Sequence, residues 1–152
     1  MIYSEGKVGR IFIIRLGDDD ILPYCIEEFA EKHGIAVGQA ILIGGIKSGD
    51  IIVGPRKNNE MPPDPMMLPI DGVHEVVGIG VLVPDKSGKP SFHIHAALGR
   101  AGKTTTGCLR NGAKVWKVGE MVLYEILGAD VARLPDKETG FDLLVPRSGE
   151  KK

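Results

Sequence analysis

A chain of 152 residues is long enough to bury a substantial core and short enough to form one domain. Its 43% hydrophobic and 26% charged residues are ordinary for a globular protein in water. Nineteen basic against twenty acidic residues give a formal charge of -1 and a pI near 6.4; this excludes a chain-wide basic footprint for nucleic acid or membrane surface, though not a local basic patch.

No apolar run approaches the roughly 20 residues of a membrane span, and the opening MIYSEGKVGR is polar, so a cytoplasmic protein is expected. Two cysteines, Cys25 and Cys108, are too few for a disulfide framework. Each is expected to be a buried thiol, a reactive thiol or a metal ligand.

Taken along the chain, residues 8–16 (VGRIFIIRL) alternate as a strand. Gly17 breaks it, and Asp19 or Asp20 is placed to cap a helix whose first turn holds Pro23. Leu22, Ile26, Phe29 and Ala30 share a helical face, and His33 with Gly34 closes the helix. Strand signals follow at 39–46 and 50–53 around a Lys47-Ser48-Gly49 turn. Residues 55–69 carry five prolines and are expected to be a loop.

The apolar run 73–83 is a strand punctuated by Gly78 and Gly80, which mark a bulge or a close backbone approach. Residues 85–90 have turn chemistry, and 92–98 (FHIHAAL) form the next strand. Segments 104–109, 113–118 and 120–127 continue the β pattern, 141–145 adds a last short strand, and 147–152 is expected to be a flexible tail behind a domain spanning 4–146. One helix among many strands with short connections predicts an α+β fold, a mostly antiparallel sheet with one main helix packed on it.

The chemistry concentrates on His93, His95 and Cys108. Residues i and i+2 of a strand share a face, so the two imidazoles project together. A hairpin turn at Gly99–Lys103 would bring Cys108 opposite His95. Two imidazoles and a thiolate suit zinc, with a fourth position for water or another side chain. A His-x-His pair can equally line a polar strand face.

FHIHAAL, then TGCL, then VGEMVLYEIL resembles the signature of the PPC (plants and prokaryotes conserved) domain family, and the N-terminal RLGDDDI resembles that family's opening. The resemblance covers about residues 9–127. Cys108 stands where the family usually has histidine, a change that keeps a ligand type. The resemblance implies one transition-metal ion per chain, a homotrimer with metal sites near subunit contacts, and an association with DNA or DNA-binding proteins. Plant relatives add Arg-Gly-Arg-Pro hooks for the minor groove; this chain has none. Glu120 matches a family glutamate and, with Glu75, is a candidate to orient a histidine through a second hydrogen bond.

Other motifs carry less. Residues 97–104 (ALGRAGKT) fit a relaxed phosphate-binding loop, but β-branched Thr104–Thr106 and Gly107 follow in place of the helix such a loop needs. Cys25 is expected to pack as a small hydrophobe, His33 to serve the helix end, and His74 and Glu75 to lie at a solvated strand end. Lys7, Arg10, Lys114 and Lys117 would make a basic patch only if their strands are neighbours. A metal-binding assembly module is therefore expected, with no catalytic residue assigned; a metal-dependent enzyme with an open zinc-type site is the alternative.

Overall fold

The computed structural model describes residues 1–110 and 112–147. The elements are β1 (Lys7–Leu16), β2 (Ile21–Leu22), α1 (Tyr24–His33), β3 (Gly38–Ser48), β4 (Asp50–Pro55), β5 (Pro65–Pro69), β6 (His74–Pro84), β7 (Pro90–Arg100), β8 (Lys103–Cys108), β9 (Ala113–Leu127), β10 (Val131–Pro135) and β11 (Asp142–Pro146). The nine-stranded antiparallel sheet runs β1-β9-β3-β6-β7-β8-β4-β5, with β2 also on β9; β10 and β11 form a separate hairpin. Among the described residues no helix is long and apolar enough to cross a membrane.

Period-2 patterning sorts the sheet into two faces. Ala40, Leu42, Leu82, Ile94, Ala96, Leu98, Met121 and Leu123 are buried on the inner face, where Ile26 and Ala30 of α1 join them. The Phe92 N–H donates to the Glu27 carboxylate at 2.8 Å, tying the helix to β7. Gly78 and Gly80 mark a close approach and no bulge: the β6–β7 register is unbroken, and a Cβ on Gly80 would land in the Phe92 ring.

Several expectations change in physical detail. The helix N-cap is Pro23, with no side-chain cap. The Asp20 carboxylate accepts from the Gly17 N–H at 2.7 Å, and Asp18 pairs with Lys47 and Lys117. The aspartates thus brace the β1–β2 turn and leave the helix end to Gly34, whose φ of 63° is the expected left-handed C-cap. The proline-rich stretch is not all loop, because Pro65–Pro69 pairs with β4 at the sheet edge, where missing N–H groups cost nothing. Segments 113–118 and 120–127 are one strand. Lys117 (φ 55°) makes a bulge in it, its N–H donating to Asp18, so the alternation is interrupted there and resumes at Gly119 while the strand continues. Strand β10 escaped the sequence reading altogether. The expected tail lies largely in residues 148–152, outside the described residues; Arg147 still donates its N–H to the Asp130 carbonyl.

One inner-face group is charged. Glu125 is 5% exposed and takes both arms of the Arg10 guanidinium, Nε at 2.7 Å and one terminal nitrogen at 2.7 Å. These bonds hold its carboxyl down at about 2. A depressed carboxyl pKa contributes stability above the unfolded value near 4.5, and that stability is lost as pH falls from there towards 2. Arg10→Ala should therefore lower the urea midpoint at neutral pH and flatten the loss of stability between pH 4.5 and 2. Urea titrations of both proteins across that window check this; parallel acid profiles would show that the pair is energetically silent.

Candidate metal centre

The outer face is organised in transverse rows. Register pairs Ile13 with Val122, Val122 with Ile41, Ile41 with Ile79, Ile79 with His95, His95 with Cys108 and Cys108 with Ile52. Directly opposed residues of an antiparallel pair point to the same face, so the chain lays an apolar row across four strands that ends in an imidazole and a thiol. His93 sits one row over, opposite Val81. The β7–β8 turn is the hairpin the sequence predicts, with Ala101 and Gly102 at φ 50° and 77°. Strand β8 follows it, so the phosphate-loop reading fails for want of a helix.

The three donors converge. His93 Nε2 and His95 Nε2 stand 3.2 Å apart, and the donor atoms of His93, His95 and Cys108 all lie within 4.8 Å of one another. Zinc–nitrogen bonds of roughly 2.05 Å at a tetrahedral angle set an N···N edge of about 3.3 Å. The imidazole pair already has that edge; a tetrahedral N···S edge is about 3.6 Å, so the sulfur needs to move in by no more than about 1.2 Å to complete a three-ligand set. Zinc bound there would have one position free for an oxygen ligand.

Burial holds His93 down at about 4, helped by the positive charge of Arg133 and Arg110, so its ring is neutral and ligand-ready at pH 7. Burial pushes the Cys108 thiol up, while Arg110, hydrogen-bonded to it, pulls the other way. Among the residues the sequence singled out, Cys25 is inert: burial, then Asp20, pushes its thiol up to about 12. His33 packs its ring on Phe29 at 4.3 Å and serves the helix end as expected.

Glu75 and Glu120 are not brought to the donors within this chain. Glu75 is exposed opposite Gly99, four residues along β6 from Ile79 and so about 13 Å from the His95 row. Glu120 faces Arg15 and Ile43 on β9, with β3 and β6 between it and β7. The His74 Nδ1 lies 2.9 Å from the Gly72 carbonyl oxygen. The four basic residues do not form a patch: Lys7 and Lys114 lie at opposite ends of β9, more than about 40 Å apart, while Arg10 and Lys117 are paired with Glu125 and Asp18.

The sequence reading missed Arg110 and Arg133. With the donor triad they line a cleft of about 620 Å³ between the 52–65 segment and the β10–β11 hairpin. Arg110 follows Cys108 by two residues and carried a weak signal; Arg133 arrives only through the hairpin. Burial lowers the Arg133 pKa, and its Nε is buried with no hydrogen-bond partner among the described residues.

A mostly antiparallel sheet with one short helix and a His/His/Cys cluster on its outer face defines a small β protein with a candidate metal centre. The chain belongs to the Plants and Prokaryotes Conserved (PCC, also PPC) domain family, whose domain matches residues 3–127. A metal-containing protein from Archaeoglobus fulgidus has the same fold, with TM-score 0.83 and 29% identity over 95% of this chain and 99% of that one. A PPC protein from Pyrococcus horikoshii gives 0.80 and 26% over 95% and 99%. A candidate DNA-binding protein from Bacteroides thetaiotaomicron gives 0.78 and 19% over 96% and 99%, a likeness of fold alone. No curated protein matches the chain in sequence.

Proposed function

We propose that this chain is a metal-binding PPC module that works as a homotrimer, holding one zinc ion per chain on His93, His95 and Cys108. The observation that carries it is the 3.2 Å separation of two imidazole Nε2 atoms beside a cysteine on the facing strand, supported by the metal content of the Archaeoglobus relative. The trimer is supported by the outer face: Ile13, Val77 and Ile79 are 79%, 60% and 55% exposed in one chain. Such a face is the kind that another copy covers. It runs directly into the donor row, so assembly would bring each metal site near a subunit contact.

A DNA-associated role, through DNA itself or a DNA-bound partner, rests on the description of relatives. The dispersed lysines and the charge of -1 put direct duplex binding by this chain at the weak end of the non-specific range, about 10⁻⁴ M at physiological salt. Titrating labelled duplex at two salt concentrations, with and without chelator, tests this. Weak, steeply salt-dependent binding is expected; tight binding indifferent to salt would reveal a base-reading surface and overturn it. The second reading, a metal-dependent enzyme, is favoured by the cleft over the donors, a shape suited to a small molecule and not to a duplex.

A further inference from the structure

We propose that the cleft binds a small organic anion, its carboxylate or phosphoryl oxygens held by Arg110 and Arg133 and its carbon skeleton lying against Met61, Phe141, Leu143 and Leu144. The inference deepens the metal reading and rests on it for the fourth ligand position, but its arginine site stands on separate observations.

The first is an unmet donor. A buried guanidinium N–H without a partner forfeits its hydration with nothing in exchange, and native structures seldom leave one unmet. Arg133 Nε is such a group, and it lies in a residue that lines the cleft. The second is charge. Among the described residues no carboxylate lies within ion-pair distance of Arg110 or Arg133. Of the two carboxylates on the cleft wall, Glu60 is taken by Lys57 at 2.6 Å, and Asp142 acts on Arg133 only at longer range. A divalent ion on two neutral imidazoles and one thiolate would add another positive charge. An anion answers this excess, and a guanidinium fork matches two oxygens of a carboxylate or phosphoryl group.

The third is shape. A volume of about 620 Å³ lies within the range of small-molecule sites. Met61, Phe141, Leu143 and Leu144 line the same cleft as the two arginines, with Leu144 directly opposite Arg133 in the hairpin, so the favoured ligand is amphiphilic and not a bare inorganic ion.

Calorimetric titration of the metal-replete protein with benzoate, phenylphosphonate and uncharged benzamide tests this, with metal content measured on the same samples. Saturable binding of at least one of the two anions, and none of benzamide, is expected; the tighter anion identifies the head group. Arg110→Met and Arg133→Met should each weaken that anion by about ten-fold or more, the loss of one charge-assisted hydrogen bond. Arg133→Met should leave metal content unchanged, whereas Arg110 also bonds to Cys108, so the Arg110→Met affinity is compared at its measured metal content. Arg133→Lys, which keeps the charge, should bind between Arg133→Met and the parent. Equal binding of benzamide and the anions, no saturation by either anion at millimolar concentration, or anion affinity unchanged in both Met variants would overturn the proposal. If the metal reading alone is wrong, the ion count is near zero while anion binding still follows the two arginines.

Discussion

His93→Ala and Cys108→Ala should each reduce the metal content of the purified protein from close to one ion per chain to near none. Among the described residues the set has three protein donors, so losing one leaves two and a weakened site. Metal binding is also folding free energy, because the unfolded chain has no assembled site. For an ion bound at 1,000 times its dissociation constant the contribution is about 4 kcal/mol. Chelator treatment of the parent should thus lower its thermal midpoint, and the two variants should be insensitive to chelator. Cys108→Ser separates ligand chemistry from packing: it fills the same space, yet should lose the metal. Elemental analysis with thermal melts checks this. Metal content unchanged in all three variants would remove the site.

The second large effect is on assembly. Ile41→Asp or Ile79→Asp should convert the proposed trimer into a monomer near 16.3 kDa. Both side chains stand on the outer face, 41% and 55% exposed in one chain, and are paired in register at the middle of the apolar row. A charge there costs the isolated chain little, but in a trimer it would be buried without a partner, at several kcal/mol per copy. Light scattering at micromolar concentration, with far-UV circular dichroism to show an intact fold, checks it. A trimer that survives both substitutions would put the interface elsewhere; a monomeric parent would end the proposal.

What the sequence made legible follows from the range of the forces involved. The helix showed itself through a local stripe, Ile26 and Ala30, and through Gly34, the residue its left-handed C-cap requires. The donor triad was legible because it needs only strand periodicity and one hairpin: His93 and His95 share a face, and Ala101-Gly102 turns the chain so that Cys108 meets His95. The interruptions misled. The Lys117 bulge broke the period of a continuous strand, and the prolines of β5 hid an edge strand that can tolerate them. The aspartates at 18–20 look like a helix cap in sequence, but Lys47 and Lys117 reach Asp18 from strands far along the chain.

The rest of the site depends on long-range placement. Glu120 lies on the same outer face as the histidines, but strand order, which a local pattern does not encode, puts two strands between them. Arg133 has no local signature; the β10–β11 hairpin carries it beside the donors.

Native mass spectrometry of protein purified without added metal tests the metal-bearing trimer most directly, because one spectrum reports both subunit number and bound ions. The prediction is a species of three chains carrying three zinc ions, which loses the ions on chelation. A 16.3 kDa monomer free of metal, before any chelator is added, would contradict it.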